Sequence, residues 1–189
     1  MPKKGIKGFS GLRTWPVTTN TSAAYAVGEK TDIPSAVSAS MDRQTEDFNL
    51  PADDGIYDSG AEFTGENIEI VVRELALDLM AQLDGADYDE VDKVYSWGPG
   101  AIAPEIAIGF RALRRDGTYR MVKYFSCRVT RIAVNYQTKG TNQEGSSYTI
   151  SLAAATRVID NKLHDFKDTE AAGDLVWLDT IEALPEAGG

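Results

Sequence analysis

Residues 104–134 constrain the fold more than any other part of the chain. Ile106, Ile108, Phe110 and Ala112 alternate with Glu105, Ala107, Gly109 and Arg111, which is the period of a strand with one apolar face. Asp116-Gly117 comes next. This pair suits a tight hairpin, because both central residues of a type I′ turn need positive φ. Tyr119–Val134 then reads as a long return strand. Tyr119, Met121, Phe125, Cys127 and Val129 fall on one face, interrupted by Lys123; Arg120, Ser126, Arg128 and Thr130 fall on the other. After a polar stretch, Tyr148–Val158 alternates again. Long neighbouring antiparallel strands with one apolar face predict a mainly β fold, a β-sandwich or rolled antiparallel barrel.

The rest of the chain is arranged around this unit. Residues 1–35 are rich in Gly, Thr, Ser, Ala and Pro and read as an N-terminal arm or edge strand; Pro16 suits an edge because it cannot donate to a ladder. Residues 36–44 read as a short strand. Residues 42–62 read as a long loop around Pro51-Ala52-Asp53-Asp54-Gly55, of the length that is usually functional or disordered. Ile68, Ile70 and Val72 alternate with polar residues. Leu75, Leu79 and Leu83 then recur at helical spacing and Gly85 stops the pattern. One flanking helix within 73–83 should therefore cap the core. Tyr88–Tyr95 reads as a strand, Leu175–Leu178 as an edge strand, and residues 161–189 as a C-terminal arm.

Composition excludes several function classes. Hydrophobic residues make up 42% of the 189, enough for a core. Cys127 is the only cysteine, so no disulfide scaffold is possible, and His164 is the only histidine. There is no phosphate loop, dinucleotide fingerprint or nucleophile elbow; Gly8-Phe9-Ser10-Gly11 has the wrong spacing. Asp84, Asp87, Asp89, Glu90 and Asp92 bring oxygen ligands together, but not at the spacing of a calcium loop. Cys127, on an apolar strand face, reads as an inert buried thiol. The expectation is a non-enzymatic chain with no cofactor, no metal and no membrane span, made in a reducing cytosol.

The formal charge is −10, unevenly spread. Between Asp42 and Asp92 there are sixteen acids against two bases. Between Arg111 and Arg131 there are seven bases against one acid, Asp116. The plain reading is two solvated faces. The sharper one is an interface between copies, in which Arg111, Arg114, Arg115, Arg120, Arg128 and Arg131 meet the acidic 42–62 loop of a neighbour. Candidate interface residues on that loop are Asp47, Phe48, Leu50, Pro51, Asp53 and Asp54.

The stretch Pro104–Arg111, then Arg115-Asp116-Gly117-Thr118-Tyr119-Arg120, then Thr138-Lys139-Gly140 and the last alternating strand resembles the C-terminal half of the major tail proteins of long-tailed bacteriophages. Leu50–Gly55, the acidic strand after it and the Leu-rich helix are similar to that family too. The resemblance covers about residues 36–160, which would form one tail-tube β domain. It implies homohexameric rings that stack into a hollow tube conducting DNA from capsid to cell, without binding the DNA tightly. It also implies tape-measure, terminator and distal tail proteins as partners, and a place in the virion tail after assembly in the host cytoplasm. Other readings are a phage ring protein, such as a terminator or connector, and an acidic β-sandwich module that binds carbohydrate.

Overall fold

A computed structural model describes residues 5–52, 55–136, 146–169 and 176–184, with side chains at all of these outside 47–62. In chain order the elements are β1 (Ile6–Asn20), β2 (Tyr25–Val27), β3 (Thr31–Asp32), β4 (Ala36–Ala52), β5 (Gly55–Val72), α1 (Leu77–Asp84), β6 (Asp87–Asp89), β7 (Val94–Ser96), β8 (Glu105–Arg114), β9 (Tyr119–Asn135), β10 (Ser147–Ala155), β11 (His164–Asp168) and a 3-10 turn, Val176–Leu178. Nine strands form one antiparallel sheet in the order β2-β1-β8-β9-β10-β5-β4, with β3 on β1 and β11 on β9; β6 and β7 pair separately. The fold is mainly β with one flanking helix, as the alternation predicts. No helix among the described residues is long and apolar enough to cross a membrane.

The sheet rolls without closing. Ile33 N–H donates to Leu12 O at 2.9 Å, and Arg73 N–H to Ser35 O at 3.0 Å. The first bond ties the segment leading into β4 onto β1, and the second extends the β4–β5 pairing by one step; β1 and β4 lie close to each other, but no ladder joins them. The roll encloses Leu12, Ile68, Ile70, Val72, Ile106, Ile108, Phe110, Val122, Tyr124, Ile150 and Leu152. Leu75, Leu79 and Leu83 pack on the same core. The helix is shorter at its start than the leucine spacing suggests, because Ala76 is still extended. At its end Gly85 takes φ 74° and its N–H donates to Ala81 O at 2.9 Å. A Cβ there would lie 2.0 Å from the Ile102 carbonyl oxygen, so only glycine fits.

Alternation fails on β9, and the reason is two bulges. Ile106 opposes Cys127 while Ile108 opposes Tyr124, so Ala107 faces both Phe125 and Ser126. Further on, Ser151 opposes Arg131 but Leu152 opposes Val129, which leaves Thr130 as an extra residue. Each extra residue reverses the facing of the residues beyond it. Val122, Tyr124, Cys127 and Val129 therefore join the enclosed core. Phe125, expected beside Cys127, turns outward.

Outside the roll lies a second apolar cluster of Trp15, Tyr25, Ala107, Phe125 and Ile181. Residues 176–184 cover it, and Leu184 N–H donates to Tyr25 O at 2.9 Å. The chain after 160 is thus part of the body: β11 pairs β9 from Arg120 to Tyr124. Val176–Leu178 is a 3-10 turn and not an edge strand. Gly109 is bare where Trp15 and Leu178 cross it; an added Cβ would meet them at 3.0 and 3.1 Å. Lys123, which looks like a flaw in the strand, is 5% exposed beneath this cover. Its ammonium donates to Thr180 O at 2.5 Å and lies 3.9 Å from the Trp177 ring centroid; burial lowers its pKa. Buried Arg157 stacks 4.1 Å from the Phe125 ring and grips Asp160 with bonds of 2.9 and 2.6 Å.

Three further expectations change. Residues 1–35 contain a full sheet strand: β1 pairs β8 on one side and β2 and β3 on the other. Tyr88–Tyr95 is a small hairpin of two strands, β6 and β7. The long loop of 42–62 is, where described, two paired strands, because β4 and β5 stay paired from Ala36↔Val72 to Ala52↔Gly55. Backbone pairing there needs no apolar face, so the polar sequence hides it. The Thr138-Lys139-Gly140 stretch lies outside the described residues.

Two outcomes test this packing. Gly85→Ala should cost about 2 kcal/mol or more by urea unfolding, since the residue must leave its left-handed conformation or displace Ile102; wild-type stability would remove the contact. The Arg157 hydrogen bonds hold the Asp160 carboxyl below its usual range. A depressed folded pKa adds stability that is present above the unfolded value, about 4, and is lost as pH falls through the folded one. Asp160→Asn should therefore cost about 2 kcal/mol at neutral pH, with a penalty that shrinks in acid. A penalty constant with pH would contradict the pairing.

Candidate self-association surface

The sheet offers an unpaired flank. β10 pairs β5 only over Glu66–Val72. Beyond that, Gly55–Gly65 pairs only with β4, so the two strands leave the body as a ribbon about 35 Å long. The other flank of β4 has no partner among the described strands. A two-stranded ribbon is marginal on its own, and its unpaired N–H and C=O groups are a template for a further strand. Asp47, Phe48, Leu50 and Pro51 sit on β4 in this ribbon, opposite Ala61, Gly60, Asp58 and Ile56. Asp53 and Asp54 lie outside the described residues.

The six arginines do not form one surface. The β9 strand carries Arg128 and Arg131 away from the turn at about 3.3 Å per residue. Four remain near the turn. Arg111 Nε donates to Ser10 Oγ at 3.2 Å, and its guanidinium lies 5.2 Å from the Tyr119 ring centroid. Arg114 pairs with Asp168 at 2.9 Å. Arg120 grips the same carboxylate at 2.8 and 3.0 Å, which raises its pKa. Arg115 is exposed in the turn, with its backbone N–H on Gly5 O at 2.9 Å. At the far end Arg128 Nη1 donates to Ala103 O at 3.2 Å and approaches Glu105 at 3.7 Å. Arg131 lines a cavity there. Asp168, which joins Arg114 to Arg120, has no sequence signature, because it reaches the turn only through the pairing of β11 with β9.

The far end also holds the acidic stretch. Asp89 accepts from the N–H groups of Asp92 and Val91, at 3.0 and 2.8 Å, and these bonds lower its pKa. Asp84 accepts from Ala86 N–H and from the Tyr95 hydroxyl, whose pKa is pushed up to about 12 by burial and by that carboxylate. These two carboxylates serve their own turns. Among the described residues no group of three or more His, Cys, Asp or Glu is placed to hold a metal ion. Cys127 is buried, and desolvation raises its pKa. His164 Nδ1 lies 3.5 Å from the buried Glu66 Oε2, and its ring packs on Tyr124 and Phe166. Trp97, at 64% exposure, stands at the mouth of a cavity of about 450 Å³ that Met80, Tyr95 and Ile132 also line. The scatter of Trp15, Trp97 and Trp177 along the sequence gives no hint of it.

No family model matches the chain. No curated relative matches it. Among solved structures it is similar to a chain of the anti-feeding prophage cap, the tube terminating cap, with 12% identity and a TM-score of 0.45 over 82% of this chain and 92% of that one. It is also similar to a chain of the anti-feeding prophage baseplate, with 8% identity and a TM-score of 0.38 over 89% and 97%. At these scores neither likeness establishes a shared fold.

Trp97 is a surface residue in the monomer, so Trp97→Ala should shift its stability by no more than about 0.5 kcal/mol. A loss above about 2 kcal/mol in urea unfolding would place it in the core instead.

Proposed function

We propose that the chain is a structural, non-enzymatic component of a bacteriophage tail, and within it the subunit of the tail tube. Copies would close laterally into hexameric rings, and rings would stack around a channel that passes DNA. The supporting observation is the β4–β5 ribbon, whose outer flank is unpaired among the described strands. A strand edge of this length is a hazard in a monomer and an interface in an assembly. Its sequence carries Asp42, Glu46, Asp47, Asp58 and Glu62. Like charge on that edge resists pairing of two ribbons and favours a different surface of the neighbour.

The resemblance to major tail proteins adds a second line of support. Its Gly-Phe-Arg strand, Asp-Gly turn and long aromatic strand correspond to β8, the turn and β9. The charge of −10 suits a conduit, since an acidic wall repels phosphate and lets a duplex slide. Tape-measure, terminator and distal tail proteins would then be its partners. A single ring that does not extend would favour the terminator or connector reading. A monomer whose melting temperature rises with a glycan would favour the carbohydrate module.

Deleting residues 45–60 tests the reading. The body keeps β5 from Glu66 onward, where it pairs with β10, so the variant should stay folded by circular dichroism. In negative-stain electron microscopy it should form no rings or tubes under conditions where the full chain does. Normal tubes from the deletion would remove the ribbon from the assembly.

A further inference from the structure

We propose that His164 and Glu66 form a proton-operated latch at the root of the β4–β5 ribbon: a proton on His164 ties β11 to β5, and its loss releases the tie. The latch is a property of the single chain. Only its consequence for assembly rests on the reading of the ribbon as an interface.

The two residues meet where the sheet changes partners. β10 pairs β9 as far as Ala155↔Ser126, and β11 takes over the same flank from His164↔Tyr124. β5 pairs β10 as far as Ala154↔Glu66 and then leaves the body with β4. Glu66 is thus the last β5 residue held by the body. Just beyond its β4 partner, Arg43, the ribbon shifts register between Gln44 and Thr45. Among the described strands no ladder joins β11 to β5. His164 Nδ1 stands 3.5 Å from Glu66 Oε2 across that gap.

The polar atoms here are buried and unpaired. Glu66 is 6% exposed, and the His164 side chain is 18% exposed. Glu66 Oε2, His164 Nδ1 and the Tyr124 hydroxyl meet no hydrogen-bond partner among the described residues. The His164 ring is held 5.2 Å from the Tyr124 ring centroid and 4.4 Å from that of Phe166. A buried carboxylate without a partner is costly, and a charged donor offsets that cost. A neutral imidazole donates from one nitrogen only, whereas the imidazolium donates from both. The proton therefore turns a contact into a charge-assisted hydrogen bond.

The neighbouring titratable groups leave this pair to itself. Burial, and then the Glu66 carboxylate, raise the pKa of the Tyr124 hydroxyl on β9, so it stays neutral. Burial does the same to the Cys127 thiol. Arg43 on β4 is exposed and forms no ion pair with Glu66. Glu105 on β8 accepts from Ser126 and Asn20, at 2.7 and 2.5 Å. On the His164 side, Lys162 approaches Asp165 at 3.9 Å, Arg157 grips Asp160, and Lys167 is exposed. Histidine changes charge between about pH 5 and 8, so the latch closes on the acid side and opens on the alkaline side. A ribbon fixed at its root presents its open edge in one orientation, which lowers the ordering cost of pairing with a neighbour.

Amide hydrogen exchange on dilute full-length protein, corrected for the intrinsic rate at each pH, tests the latch. Protection at residues 64–68 and 164–166 should be about tenfold greater at about pH 5.5 than at about pH 8. His164→Gln and Glu66→Gln should each flatten that difference, and a difference that persists in either variant would overturn the latch. His164 is the only histidine, so its imidazole resonances are unmixed in the unaltered protein. In acid its Nδ1 proton should be protected from water and show a nuclear Overhauser contact to the Glu66 side chain. A freely exchanging Nδ1 proton would overturn the latch even where a variant fails to fold. Both readings are made on the monomer, so a chain that forms no tubes leaves them standing, and loss of the latch leaves the ribbon interface standing.

Discussion

The hydrogen-bond ladder of β9 is the constraint on which the rest of the molecule depends. This strand is long enough to take β8 along one flank and β11 and β10 in succession along the other. It joins the N-terminal strand, through β8, to the β5–β4 ribbon, through β10. Its two bulges decide which side chains face inward. Without them Phe125 and Cys127 would share a face, and the outer cluster under residues 176–184 would lose a central ring. A bulge costs a ladder position but supplies the bend that lets a sheet roll.

Rolling leaves a residual problem. An open sheet has edges, and edges expose backbone groups that water satisfies only while no strand approaches. On the β1 side, short partners β2 and β3 cover part of the edge. On the β4 side nothing among the described strands does. The asymmetry is directional. One flank is partly covered within the chain, and the other, among the described strands, is not. The apolar face outside β8 and β9 is treated differently again, being closed by the chain's own later residues through Arg13–Asp179 and Lys123–Thr180. Burying Lys123 there has a desolvation cost, so that cover is held by specific bonds more than by area.

Much of the fold is legible in the residues, and the exceptions have physical causes. The alternation of Ile106, Ile108 and Phe110 marks the central strand, and Leu75, Leu79 and Leu83 mark the helix face, because burial imposes those periods directly. Bulges leave no residue signature, so simple alternation puts Phe125 on the wrong face. The ribbon reads as a loop because its pairing is carried by backbone and not by apolar side chains. The arginines read as one patch because sequence proximity ignores the distance a strand covers: Arg120 and Arg131 are near in sequence and at opposite ends of β9. Asp168 and Trp97 become visible only when tertiary pairing places them at the two ends.

The central claim is that copies of the chain satisfy the β4 edge for one another. Amide hydrogen exchange reads those groups directly. In dilute monomer the amides of 36–46 that β5 does not engage should exchange rapidly, while those of β9 stay protected. In assembled protein at higher concentration the same β4 amides should slow by orders of magnitude, because a ladder has formed on them. Rapid exchange at β4 in both states, with assembly otherwise intact, would contradict the account, since the copies would then be meeting elsewhere.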